Sequence, residues 1–228
     1  MSELPFAGPT APQAVTLTPI DLNQLADHPY LTDSDRCSFM LEFIPGGHLE
    51  LGASNRILRD FKCPPSTTIV SARRAASKRR AIELMAALLR AAVSRRAAQG
   101  ATWVPIPPSK VPADADFDDR LMRTLALAFR DYDVDLRRLL FQAQSTPADH
   151  LGSTRLTAAA LLGNLCLDVA SLQQRPLRQT IYLFDDVLTT GKHYKCCERR
   201  LRDVVPQAPI CGVFLLRRAL SRRWRGRF

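Results

Sequence analysis

The chain contains no uninterrupted apolar run of about 18 or more residues, so no segment reads as a transmembrane helix and no membrane partner is expected. Its start, MSELPFAGPTAPQAV, lacks the basic residues and apolar core of a secretory signal, so the expected location is cytoplasmic. The six cysteines, Cys37, Cys63, Cys166, Cys196, Cys197 and Cys211, form no CxxC pair. Neither a disulfide framework nor a paired-thiolate zinc site is expected from them. Cys166 and Cys211 lie in apolar runs and read as small core residues. Cys196 and Cys197 are neighbours in an expected helix, where they point about 100° apart. There is no internal repeat. At 46% apolar and 24% charged residues the composition excludes collagen, a heptad rod and wholesale disorder. At 228 residues the chain is one domain, or one with a substantial extension.

Acidic residues are in deficit. Against 22 Asp and Glu stand 32 Lys and Arg, a net charge of +10. That excess favours phosphate-bearing partners, either nucleic acid or phosphorylated small molecules. An Arg-rich coding sequence gives the same excess without such a partner.

Residues 1–30 carry several prolines and little periodicity, and read as an extended arm. Cys37 to Ile44 and His48 to Leu51, on either side of Pro45-Gly46-Gly47, suggest a hairpin. Ser71 to Gln99 is the longest helix expected, with Ile82, Met85, Ala86, Leu88 and Leu89 at helical spacing and Gly100 as its stop. Arg73, Arg74, Lys78, Arg79 and Arg80 make it basic, which suits nucleic acid but equally a solvated helix face. A strand is expected at Thr102–Pro107 and helix over Arg120–Tyr132. Strand follows at Leu136–Phe141, a mobile loop at Gln142–Arg155 and helix at Leu156–Leu165. Strand returns at Gln179–Phe184, then helix over Lys192–Val205 and strand at Ile210–Leu216. This order predicts an α/β fold, a Rossmann-like, mainly parallel sheet flanked by helices. The tail, RRALSRRWRGRF, offers charge and two aromatics to nucleic acid, or is a solvated terminus.

The most informative stretch is IYLFDDVLTTGK, residues 181–192. A bulky apolar strand delivers Asp185 and Asp186 at its carboxyl end, followed by a Thr-Thr-Gly loop and a helix. Ligands of open α/β sheets bind outside the carboxyl ends of strands. Amides of the loop and the helix start form a site for phosphate. Gly191 permits close approach or a positive φ. Thr189 and Thr190 add hydroxyl donors. Two carboxylates beside a phosphate cradle repel bare phosphate but fit a ribose 5-phosphate, whose hydroxyls they can accept from.

This stretch resembles the phosphoribosyl-pyrophosphate signature of the type I phosphoribosyltransferases. The order VPIPP, Arg120, Gln144, Arg155, DDVLTTG looks most like the competence-associated ComF family, over roughly residues 101–216. The resemblance implies the type I phosphoribosyltransferase fold with an N-terminal extension or hood. Its division is 1–65 as arm and hood, 66–216 as the α/β domain and 217–228 as basic tail. It implies transfer of ribose 5-phosphate from phosphoribosyl pyrophosphate to an acceptor, with release of pyrophosphate and with Mg²⁺ as cofactor. Asp185 and Asp186 would orient the ribose and meet the metal indirectly, through ribose or water. Val187, Leu188, Thr189, Thr190, Gly191, Lys192 and His193 would hold the 5-phosphate. Pro108 and Ser109 would line the pyrophosphate, and Lys110 and Arg155 would stabilise it as it leaves, with His150 nearby in the mobile loop. A dimer is common among such proteins.

Two departures bear on activity. His193 stands where family members often have Thr or Ser, and Pro107-Pro108 replaces the usual glycine-rich pyrophosphate loop. Thr189 replaces the Asp that acts on 6-oxopurines, which argues against hypoxanthine or guanine salvage. The competing expectation is a non-catalytic nucleotide- or nucleic-acid-binding protein of this fold. Some proteins resembling this family accompany bacterial defence reverse transcriptases, so a partner-controlled, retron-type effector or regulator is a third expectation. Phe39, Phe43 and Phe61 are candidates to stack a base, or core residues.

Overall fold

The computed structural model describes residues 15–44, 53–146 and 156–220. In chain order the elements are β1 (Thr18–Pro19), α1 (Leu22–Leu25), β2 (Arg36–Phe43), α2 (Ala53–Phe61), α3 (Pro65–Ile69), α4 (Ala72–Ala92), α5 (Arg95–Gln99), β3 (Ala101–Pro105) and α6 (Arg120–Ala128). They continue as β4 (Asp135–Leu136), β5 (Leu140–Gln142), α7 (Ala158–Asn164), β6 (Leu165–Leu167), α8 (Val169–Gln174), β7 (Thr180–Leu188), α9 (Lys192–Arg202) and β8 (Ile210–Arg218).

Six strands form one sheet in the order β1-β2-β8-β7-β3-β4, parallel except for the antiparallel edge strand β1. The near-continuous apolar text of β3, β7 and β8 belongs to strands covered on both faces. On one face α2, α4 and α6 bury Phe61, Ile82, Met85, Leu89 and Leu125 against Trp103 and Phe184. On the other, α7 and α9 bury Leu161, Tyr194 and Leu201 against Val104, Ile181 and Leu183. Each large side chain so buried contributes about 1.5–3 kcal/mol.

The strand order reverses between β3 and β7. From β3 the chain passes through α6 to β4 on one side, and from β7 through α9 to β8 on the other. The two following loops therefore part above adjacent strand ends, which opens a crevice there. A separate two-stranded antiparallel ribbon, β5–β6, flanks that crevice.

Several expectations need correction. The strand at Cys37–Ile44 exists as β2, but it pairs in parallel with β8 along its length, from Arg36↔Cys211 to Phe43↔Arg218. The sheet thus crosses the boundary drawn at residue 65. The hairpin turn and its second arm, 45–51, lie outside the described residues. The long helix is two: Val93 is extended and buried, and Ser94 Oγ caps a second helix by accepting from Ala97 N at 3.2 Å. The strand at Leu136–Phe141 is broken between β4 and β5. There the Arg137 guanidinium is buried on Asp135 (2.8 Å) and on the carbonyls of Ser171, Arg175 and Pro176 (2.9 Å each), which turns the chain. Strand β7 does not stop at the acids but runs through them to Leu188. Cys166 and Cys211 are only partly buried, whereas Cys37, Cys63, Cys196 and Cys197 are buried, and all six are free thiols. Phe39 and Phe61 are core residues; Phe43 alone of the three lines the crevice. Among the described residues no helix is long and apolar enough to cross a membrane.

Candidate functional site

The crevice holds a cleft of about 780 Å³, lined by the loops after β3 and β7, by Lys62, by the start of α6 and by the β5 strand. It collects Pro108, Ser109, Lys110, Asp185, Asp186, Val187, Leu188, Thr189, Thr190, Gly191, Lys192 and His193 at one place. Arg155 and His150 lie outside the described residues.

Consecutive strand residues face opposite sides of a sheet. Asp186 accordingly joins the α2–α6 side and Asp185 the α9 side, where it bears on Cys197. The two acids have different partners. Lys62 Nζ lies 2.9 Å from Asp186 Oδ1, and Arg120 donates to Oδ2 from Nη2 (2.5 Å) and Nε (3.1 Å). Arg120 Nη1 also reaches Asp118 Oδ2 (2.8 Å), which accepts Lys78 Nζ at 2.6 Å. The result is a chain of five charges, Lys62, Asp186, Arg120, Asp118 and Lys78, with three cations to two carboxylates. Removing one member of such a buried set costs about 3–5 kcal/mol, because it strands its partner's charge.

Burial opposes ionisation of Asp186, but Lys62 and Arg120 outweigh it and hold the carboxyl well below the usual range. Burial likewise opposes the charge of Arg120, and Asp186 and Asp118 outweigh it, so the guanidinium stays charged. Burial of Lys78 lowers its value against the pull of Asp118. For Asp185, burial and then the charge of Asp186 push the carboxyl up to about 7. Its Oδ1 accepts the Asp186 amide (2.8 Å), and among the described residues no side chain hydrogen bonds to its carboxylate. Asp185 is thus the acid with an oxygen left for a ligand, and Asp186 is the anchor of the cleft floor.

The Thr-Thr-Gly loop follows. Gly191 has φ 82°, a left-handed conformation, and starts α9. Lys192 N donates to Thr190 Oγ1 at 3.3 Å, and Lys195 N returns to Gly191 O at 3.0 Å. The Lys192 ammonium is buried and donates to Leu156 O (2.7 Å), so this residue offers the loop its backbone while its charge sits on the chain before α7. His193 is partly buried on the cleft wall. Val187 and Leu188 line the cleft from the strand end, with side chains in the two cores.

The β3 loop forms the facing wall. Pro107 and Pro108 have no amide hydrogen, so between Ile106 and Lys110 only Ser109 contributes a backbone donor. The loop is held from the β5 side: Gln142 Nε2 donates to Pro108 O (2.9 Å), Thr146 N to Ser109 O (2.8 Å) and Ser145 Oγ accepts Val111 N (3.1 Å). Lys110, one-third exposed, lies 3.5 Å from Asp114.

From sequence, Lys62 and Asp118 were not singled out, Lys78 was named only as one of the basic residues of the long helix, and Arg120 only as a landmark. The signal for Arg120 is its place directly after Asp118-Asp119 at a helix start. Lys62 carries no local signal, since α2 and its end are brought to the acids by the fold alone. The acid pair does not fit a resident Mg²⁺: both oxygens of Asp186 are committed to cations. Among the described residues no group of three or more His, Cys, Asp or Glu could hold a metal ion.

No protein-family model matches the chain, and no curated protein matches it at significant similarity.

Proposed function

We propose that the cleft binds phosphoribosyl pyrophosphate and transfers its ribose 5-phosphate to an acceptor, as in a phosphoribosyltransferase. The observation that carries this reading is the stacking at one strand end of an acid with an uncommitted oxygen and a left-handed Gly loop opening a helix. In this reading Asp185 Oδ2 accepts from a ribose hydroxyl, and the amides and hydroxyls of Thr189 to Gly191 surround the 5-phosphate. Lys110 and the Ser109 amide meet the pyrophosphate. An acceptor lone pair forms a bond to C1 of the ribose as the C1–oxygen bond breaks. The electron pair leaves with pyrophosphate, and the acceptor's proton goes to solvent. The protein contributes positioning and charge. Asp185 favours the positive charge that develops on the ribose, and Lys110 the negative charge on the leaving group. Mg²⁺ enters only as the counter-ion that pyrophosphate brings with it.

The test is release of pyrophosphate from phosphoribosyl pyrophosphate across a panel of nucleobases and small amines. Activity is expected with at least one acceptor, with Lys110→Ala slowing turnover by about 100- to 1,000-fold, the loss of one charge-stabilising contact. Lack of release with every acceptor contradicts the transfer step and leaves binding to be judged separately.

The second reading is a binding or partner-controlled protein of the same fold. It is favoured by the proline pair in the pyrophosphate loop and by Arg73, Arg74, Arg79 and Arg80, all exposed on α4. Nucleic-acid binding through that face falls steeply with salt, whereas binding to the partly buried charges of the cleft falls less.

A further inference from the structure

We propose that residues 27–31, outside the stretch that carries the family resemblance, form a strap that positions the Thr189–Gly191 loop, with His28 as its positioning residue. Three observations place the strap against one side of the loop. His28 Nδ1 is hydrogen bonded to Thr189 O, and Tyr30 N donates to Thr190 O at 3.0 Å. A Cβ built on Gly191 would come within 2.8 Å of the Leu31 side chain.

The consequence follows from peptide geometry. No described peptide bond is cis, and in a trans peptide the carbonyl and the next N–H point in opposite directions. Holding Thr189 O toward the strap turns the Thr190 N–H away from it. Holding Thr190 O turns the Gly191 N–H away as well. Two consecutive amides therefore face the side opposite the strap, and a concave pair of amides is an anion-binding surface.

The chemistry of His28 agrees. A carbonyl only accepts, so Nδ1 carries the proton. The residue is fully buried, and burial, partly offset by the Thr189 bond, lowers its pKa, so the ring stays neutral. The charged groups bearing on it are Arg217, Asp27 and Arg218. Nε2 is buried with no hydrogen-bond partner among the described residues, a cost that an apolar residue chosen for packing alone would avoid. The strap is itself tied down. Asp27 Oδ2 accepts Arg217 Nη1 at 3.0 Å and Leu220 N at 3.3 Å, and Leu31 N donates to His28 O at 2.8 Å.

The strap can be tested apart from the ribose-phosphate reading, on which only the identity of its anion rests. The first readout is the order parameters of the Thr190 and Gly191 amides from nitrogen relaxation; the second is affinity for ribose 5-phosphate and for pyrophosphate. Wild type is expected near the rigid value of about 0.85, and His28→Leu below about 0.6. His28→Asn retains an N–H at the Nδ1 position and is expected to restore rigidity. Tyr30→Pro deletes the second donor at an exposed residue and is expected to loosen the loop without a core change. Ribose 5-phosphate affinity should fall about tenfold in His28→Leu and recover in His28→Asn, with pyrophosphate affinity unchanged. Unaltered order parameters in both His28→Leu and Tyr30→Pro would overturn the strap. Loosening in a protein whose wild type binds neither ligand upholds the strap and removes the ribose-phosphate reading.

Discussion

At the scale of single residues the two adjacent acids are not equivalent. Their sequence pairing was legible at once, but their division of labour was not, because it depends on Lys62 and Arg120, 124 and 66 positions away along the chain. Asp185 sits above its ordinary value, so between about pH 4 and 7 the folded protein retains a proton that the unfolded chain releases. Stability from this group is present at low pH and is lost as pH rises to about 7. Asp186, held low, contributes in the opposite sense: its stability is present above about pH 4 and is lost in acid. Asp185→Asn is therefore expected to raise the unfolding free energy at pH 8, with the gain shrinking toward pH 5, measured by urea unfolding at both. Ribose 5-phosphate affinity of wild type is expected to rise as pH climbs through 7, beyond the rise that ionisation of the phosphate gives in Asp185→Asn. A variant with the same pH profile as wild type contradicts the assignment. Lys110, by contrast, was named only through the family resemblance; it lies on the wall of the cleft.

At the scale of elements, helices and strands with strong periodicity were readable and their interruptions were not. The division of the basic helix at Val93-Ser94 and of β4 from β5 at Arg137 is imposed by capping and by a buried guanidinium, neither visible as a change in apolar spacing. The turn from β7 into α9 was readable, because a Gly after two Thr fits a left-handed turn at a helix start. What lies behind that turn was not, since the strap comes from an arm with little pattern. Gly191→Ala meets both constraints, a φ of 82° and Leu31 at 2.8 Å. Left-handed backbone alone costs about 1–2 kcal/mol in an L-residue. The melting temperature should drop by at least about 2 °C, and ribose 5-phosphate binding should weaken with it. A variant that melts and binds like wild type shows that the loop does not need this conformation.

At the scale of the whole molecule the α/β class followed from element order, and a cleft lies at the strand end that carries the motif. The reversal of strand order between β3 and β7 brings the Ser109–Lys110 loop opposite the Thr189–Gly191 loop, although some eighty residues separate them in sequence. The place of β2 was not legible. Parallel pairing with β8 is a contact between the two ends of the chain, and no local pattern specifies it. It makes the N-terminal segment part of the sheet and so lets Asp27 to Leu31 reach the loop. Basic residues stand both on the cleft wall, as Lys62 and Lys110, and exposed on α4, as Arg73, Arg74, Arg79 and Arg80, and the proposal is that the cleft is a ribose-phosphate site. Calorimetric titration of the protein with phosphoribosyl pyrophosphate, with and without Mg²⁺, tests it most directly, with Asp185→Asn as the control because Asp186 is committed to the cleft floor. The account predicts saturable binding, weakened about tenfold or more in Asp185→Asn, the loss expected when a charged hydrogen-bond acceptor is removed. Absence of binding, or equal binding by the variant, would contradict it.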